Sequence, residues 1–422
     1  MTFNKTTLPN GLRIITVPMA DNPSVTVLVM VETGSKYETK DIGGISHFLE
    51  HMVFKGTPRR PSAIDISREL DGLGAHYNAF TSQEFTGYYA KAASRHLDTI
   101  LDIVSDMYLN PLLEQAEIEK EKGVIIEELR MYRDLPQRHV HDVFMDCVYG
   151  DQPVGWDIIG TEESIRSFAR PAILQYRTDH YTAPATTVII SGSFNEAETI
   201  QKASKIFGTL PASAPKGKLS VSDVQDGPRF KALFKETDQT HLVIGVRTFP
   251  VLDPRIPAMS VLSTILGRGM SSRLWSKMRD DLGICYYIRA EHDPYTDHGL
   301  LSISAGVDNA RVPEAVKGIL AECARLRDEL VGKDELAKAK ENIAGSTMLE
   351  LETSDARAEF AGFQEALKGR IDNPADMIAK VNAVTAEEVR SLAKEVFSKK
   401  GLNMAVIGRF SPDDSFKGYF TL

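Results

Sequence analysis

Cysteine is scarce in this chain: Cys147, Cys285 and Cys323 are the only three in 422 residues. Their odd number and scattered positions exclude a disulfide framework, and none of them has metal-ligand spacing. Cys285 reads as a buried strand thiol. No stretch approaches the roughly 18 uninterrupted apolar residues that a membrane-spanning helix needs. A secretory signal is missing too, since MTFNKTTLPN has no apolar core and the LRIITV run is too short. No N-terminal presequence is visible, so the expected compartment is the cytoplasm. An excess of positive charge is also lacking: the net charge of −9 gives no support to nucleic-acid binding and points to solubility. What remains, 42% hydrophobic and 25% charged residues, is the composition of an ordinary soluble globular protein. At 422 residues the chain exceeds the size at which one core keeps growing, so two or more domains are expected.

The richest local signal is His47-Phe48-Leu49-Glu50-His51. Residues i, i+3 and i+4 of a helix share a face, so His47 and His51 can grip one metal ion with Glu50 beside them. Ile45, Phe48, Leu49, Met52 and Val53 form the apolar stripe of the same helix, with Gly43-Gly44 at its start and Lys55-Gly56 at its end. The order is the reverse of His-Glu-x-x-His and matches a zinc-peptidase signature: half of a zinc site plus its general base. Catalytic zinc takes three protein ligands and leaves a fourth position to water, so a third must come from elsewhere. Residues 112–133, LLEQAEIEKEKGVIIEELRMYR, have a helical pattern in which Ile118, Val124, Ile125, Ile126 and Leu129 suggest a buried side. Glu121 and Glu128, seven apart, share a face. The other glutamates there read as a charged solvent-facing surface.

Together these segments resemble the M16 metallopeptidases, the family of pitrilysin, insulin-degrading enzyme and the mitochondrial processing peptidase. The resemblance covers essentially the whole chain. It implies Glu128 as the third zinc ligand, with Glu127 as runner-up, and Glu121 as a carboxylate that orients the site. It implies one zinc per chain, with Glu50 as base. LGAHYNAFTSQEFTGYYA, residues 73–90, is similar to the family's Asn-Ala-aromatic-Thr strand, whose edge pairs with extended peptide substrates through Asn78, Ala79 and Phe80. Its residues are good strand formers, with a polar break at Ser82-Gln83-Glu84. Arg279 and Tyr286 match an Arg/Tyr pair of the family's non-zinc half, with Tyr287 as the adjacent alternative. There the guanidinium fork would hold the peptide and the phenol would support an oxyanion.

The chain is written twice. VTVLVMVETGSKYE resembles HLVIGVRTFPVLDP; FTGYYAKAASRHLDTILDIVSDM is echoed by LLSISAGVDNARVPEAVKGILAEC; TTVIISGSFNEAETI and LNMAVIGRFSPDDS close the two halves. TTLPNGLRIIT reads as a hairpin turning at Asn10-Gly11. The expected fold is α+β: two homologous α/β roll domains, each a mainly antiparallel sheet with helices on one face. The boundaries are 1–212 for the zinc-binding domain, 213–228 for a Pro/Ser/Lys/Asp-rich linker and hinge, and 229–422 for the domain with the Arg/Tyr pair. The second-half counterpart of the histidine helix is read as LGRGMSSRLWSKMRDD, which has no histidine. The resemblance implies a zinc endopeptidase acting on unfolded peptides in a chamber between two subunits, as a homodimer with composite sites. A heteromeric processing peptidase is the alternative. A non-catalytic scaffold is disfavoured by the intact metal set.

Overall fold

Eleven strands form two sheets in the computed structural model, which describes residues 1–409 and Gly418. In the first half lie β1 (Asn4–Thr7), β2 (Arg13–Pro18), β3 (Ser24–Val31), β4 (His76–Thr81), β5 (Thr86–Ala93) and β6 (Thr186–Gly192). The second holds β7 (Arg229–Phe234), β8 (Gln239–Thr248), β9 (Cys285–Pro294), β10 (Gly299–Asp308) and β11 (Leu402–Gly408). The sheet orders are β1-β2-β6-β3-β5-β4 and β7-β11-β8-β10-β9. Setting β1 aside, the two orders coincide: β3 and β8, β5 and β10, β6 and β11 hold equivalent places, as the repeated segments required. Each sheet is antiparallel except for one parallel pair, β2 with β6 and β7 with β11. The hairpin β1–β2 turns at Asn10-Gly11, where Gly11 has φ +91°. The acidic turn expected after β11, at Asp413 and Asp414, lies outside the described residues.

Chain contacts divide the structure into two compact units, each assembled from three segments. Unit one comprises Met1–Leu129, Trp156–Leu219 and Leu349–Ile371; unit two comprises Arg130–Gly155, Ser220–Met348 and Asp372–Leu422. The halves of the sequence therefore exchange a helix. Ser354–Lys368, from the second half, packs on β3, β6 and β2. Pro136–Tyr149, from the first, packs on β11, β8 and β7.

This exchange extends the expectation of helices on one face. In β3, side chains alternate across the sheet: Leu28 and Met30 join Ile15, Val17, Ile189, Ala358 and Ala361 in one core cluster. Val27 and Val29 are buried on the opposite side, where Leu97–Leu109 packs against β3 and β5. A strand that is apolar in consecutive positions must be covered on both faces, and the exchanged helix supplies the second cover. Unit two repeats the arrangement: Phe144, Val140 and Val143 meet Val243, Ala405 and Ile407, while Leu242, Ile244 and Val406 pack into a larger cluster on the other face. The fit is close in both. A Cβ on Gly362 would lie 2.3 Å from the sulfur of Met30, and one on Gly245 would lie 2.8 Å from the Phe144 ring.

The expected linker is irregular but tied at both ends. Lys216 pairs with Asp179 at 2.7 Å and Lys218 pairs with Glu84, both within unit one. In unit two the Val221 and Ser222 amides donate to Asp297 and Gln152. Among the described residues, no helix is long and apolar enough to cross a membrane.

Candidate metal centre

The histidine helix spans Ile45–Val53 and begins at Gly44, whose φ of +93° only glycine adopts without strain. A Cβ there would also lie 2.1 Å from the carbonyl oxygen of Ile159. No side chain caps this helix from the usual position. Instead the buried carboxylate of Glu38 accepts the amide hydrogens of Gly44 at 2.7 Å and Ser46 at 2.8 Å. It thereby satisfies two of the donors that every helix start leaves open. Burial without a cation beside it pushes Glu38 up to about 8. Ile45, Phe48, Leu49, Met52 and Val53 are completely buried. At about 1.5–3 kcal/mol for each large apolar side chain, that stripe fixes which face turns outward. The outward face carries His47, Glu50 and His51.

A second helix, Gln115–Asp134, brings the glutamates. Its buried residues are Ile118, Glu121, Ile125, Ile126 and Leu129. Val124, expected on the buried side, is instead 52% exposed. It sits three residues after Glu121 and four before Glu128, on the same helical face as those two glutamates. Glu128 Oε2 lies 3.3 Å from His51 Nε2 and 3.8 Å from His47 Nε2. Glu127 is exposed. His47, His51 and Glu128 each offer a donor atom, all within 4.8 Å of one another. Bonds of about 2.1 Å to a tetrahedral cation set donors roughly 3.4 Å apart, so the two histidines and Glu128 fit such an ion.

The neighbours of this triad order it. His51 Nδ1 hydrogen-bonds to Glu121 Oε1 at 2.8 Å, which leaves Nε2 facing Glu128. Burial alone would lower the His51 pKa, but the hydrogen bonds to Glu121 and Glu128 outweigh it and push it up to about 9. Glu121 is buried and is nevertheless held below the usual carboxylate range, because His51 and Lys55 overcome the effect of burial. Glu50 moves the other way: burial raises it, against the opposing pull of Thr81 and His51. Thr81 Oγ1 donates to Glu50 Oε2 at 2.5 Å. Thr81 ends β4, and β4 is last in its sheet, so among the described residues one edge of it carries no neighbouring strand. On that strand Asn78 is exposed and its side-chain oxygen accepts the Ala79 amide hydrogen at 2.9 Å, while Phe80 lies over Gly87.

Arg279 and Tyr286 belong to unit two and meet each other. The guanidinium lies 4.5 Å from the centre of the Trp275 ring and 5.1 Å from that of Tyr286, and it donates to the Tyr286 carbonyl. Tyr286 is 72% exposed. Tyr287, the alternative, is turned to His241 Nδ1 at 2.9 Å. Cys285 is half-buried, with its thiol pushed up to about 11 by burial.

Residues 13–162 match the insulinase domain of peptidase family M16, and residues 167–343 match the domain described as peptidase M16 inactive domain. The uncharacterized zinc protease YmxG of Bacillus subtilis is 36% identical over 93% of this chain and 95% of its own length. This chain belongs to peptidase family M16. An uncharacterized zinc protease of Streptomyces coelicolor is 32% identical over 96% of this chain and 90% of its own. A crystal structure of a protease from Helicobacter pylori shares the fold with a TM-score of 0.91 at 23% identity, covering 96% of this chain and 99% of that one.

Within the M16 fold, the second unit differs where the histidine helix stands. The first helix between β8 and β9, in the place that the histidine helix holds between β3 and β4, is Ile256–Gly267, and it contacts β9 as the histidine helix contacts β4. This is one element earlier than the counterpart read from the sequence, whose residues 273–281 form the next helical turns. The structural equivalent is the strongly apolar segment IPAMSVLSTILG. It too has no histidine. Three contacts escaped the sequence reading: Glu38 on the helix start, Thr81 on Glu50, and Lys55 on Glu121. Lys55 had a signal, since it follows His51 by four residues. Glu38 and Thr81 reach their partners through tertiary packing.

Proposed function

We propose that this chain is a zinc-dependent endopeptidase that cleaves unfolded peptides. The observation that carries this reading is the convergence of His47 Nε2, His51 Nε2 and Glu128 Oε2 beside Glu50 and next to the unpaired edge of β4. His47, His51 and Glu128 would hold one zinc ion, which when bound supplies Lewis acidity toward the scissile carbonyl and its attacking water. Glu121 holds His51 by Nδ1, so that Nε2 remains the donor.

Glu50 accepts the proton of the attacking water and returns it to the leaving amine. Burial raises its pKa above the usual carboxylate value, which favours proton uptake in a group that must both take and give a proton. Thr81 holds one of its oxygens and leaves the other for the water. An extended substrate adds to the free edge of β4 beside Asn78, Ala79 and Phe80, so main-chain hydrogen bonds give affinity with little sequence preference. That same contact aligns the scissile bond beside Glu50.

In this reading Arg279 and Tyr286 act on a peptide held at the zinc centre of a second subunit, and a homodimer encloses the chamber in which unfolded chains are cut. Mixing two inactive variants, Glu50→Gln and Arg279→Ala, tests this. Subunit exchange should restore cleavage, because some dimers then pair an intact zinc centre with an intact Arg/Tyr pair. Verified exchange without recovered activity would end the homodimer reading.

A further inference from the structure

Lys55 has no part in the chemistry above, yet its ammonium nitrogen lies 2.6 Å from Glu121 Oε2. The other oxygen of that carboxylate holds His51 Nδ1 at 2.8 Å. Glu121 is thus bridged at both oxygens, with its side chain only 4% exposed and that of Lys55 24% exposed. Lys55 stands one turn after His51, just past the end of the histidine helix, where its amide donates to the Met52 carbonyl at 3.1 Å. A cation there is also favoured by the helix C-terminus. Among the described residues, Glu121 is the carboxylate that Lys55 meets.

We propose that Lys55 is a positioning residue of the metal centre, fixing Glu121 in the one orientation in which it serves His51 and does not itself turn to the cation. The proposal rests on the metal-site reading above. Glu121 and Glu128 lie two turns apart on one helical face, and both carboxylates reach His51, Glu128 at Nε2 and Glu121 at Nδ1. What separates their roles is what occupies their oxygens. A buried carboxylate oxygen without a donor is costly, and the nearest relief besides Lys55 is the cation at His51. With Lys55 in place, the second oxygen is engaged and the Glu121 side chain cannot rotate. The ligand set then stays at two imidazoles and one carboxylate, with a position left open.

Zinc affinity, measured by competition with a chromophoric chelator, and the visible spectrum of the cobalt-loaded protein test this together. Lys55→Met should weaken zinc about tenfold or more, the range seen when groups behind metal ligands are lost. It should also shift the cobalt bands as Glu121 enters the coordination sphere. Lys55→Arg should restore both. In a Glu121→Gln background, Lys55→Met should change neither, because the lysine acts through that carboxylate. Unchanged affinity and spectrum in Lys55→Met would overturn the proposal, as would independent, multiplying effects of the two substitutions. Failure of the metal-site reading would look different: the unaltered chain itself would take up no zinc.

Discussion

The two units share one sheet order, β1 aside, and one scheme of helix exchange, yet among the described residues only the first brings two histidines and a glutamate together in a metal-sized cluster. The difference lies in what each equivalent helix turns outward. Ile45–Val53 buries a single stripe and exposes His47, Glu50 and His51 on the opposite side. Ile256–Gly267 buries Ala258, Met259, Val261, Leu262, Ile265 and Leu266, and even Ser263 and Thr264 are covered. A helix enclosed on most of its surface can support a sheet, but it has no free face for chemistry. The duplication has therefore been kept in the cores and dropped at the surface. Fold and site are separable in this protein, and substitutions should divide accordingly.

The largest effect should come from Glu50. Replacing it by Gln removes the proton carrier and leaves its shape, so turnover should fall by about three orders of magnitude, within the usual range for acid–base catalysis. Zinc content should stay near one per chain. Peptide-cleavage assays and metal analysis check both; undiminished cleavage would remove Glu50 as base. Comparable in free energy, but on stability alone, is Phe144→Ala. This ring, on the helix that the first half lends to unit two, packs against Val243 and Ala405 and fills the space above Gly245. Its loss should cost about 3–5 kcal/mol in urea unfolding, with zinc affinity in the surviving native protein unchanged. If Phe144→Ala altered zinc affinity in the folded protein, the separation of fold from site would fail.

A smaller effect distinguishes two adjacent glutamates. Glu128→Gln should weaken zinc by about a hundredfold or more, exceeding the loss typical of groups behind the ligands. Glu127→Gln should leave binding as it was, since Glu127 is exposed and Glu128 is the carboxylate that meets both histidines. Titration calorimetry on both variants decides, and the reverse order would reassign the ligand.

Much of this was legible in the chain, and the parts that were not have physical reasons. The pentad declared its helix because the apolar spacing and the histidine spacing are both local. The repeat declared the shared sheet order because strand-turn-helix units keep their pattern. The cover on the second face was written in SVTVLVMV, a strand too uniformly apolar to face water on either side, but which helix covers it depends on a contact between residues more than 300 positions apart. The helix 354–368 has a plain amphipathic sequence that fits any apolar surface. The contacts of Glu38 and Thr81 were hidden for the same reason. Each depends on where loops return, and a glutamate after a loop looks like any other charged residue until the helix start it caps is in place. Val124 shows the converse: periodicity assigns it to the core, whereas it shares a helical face with Glu121 and Glu128 and is exposed.

The edge strands give the smallest and most selective test of the comparison. β4 and β9 both end their sheets, but it is β4 that meets Glu50, the proposed base, through Thr81. If substrate pairs with β4, Ala79→Pro should raise KM about tenfold, the equivalent of one or two lost hydrogen bonds of about 1 kcal/mol each. Proline is tolerated on an edge strand, so the fold should hold. Zinc affinity should not change, because Ala79 contributes no side-chain donor. The same substitution at Ala290 of β9 is the control for edge chemistry in general: a matching rise in KM there would mean that both sheets bind peptide, and that the units differ in catalysis alone.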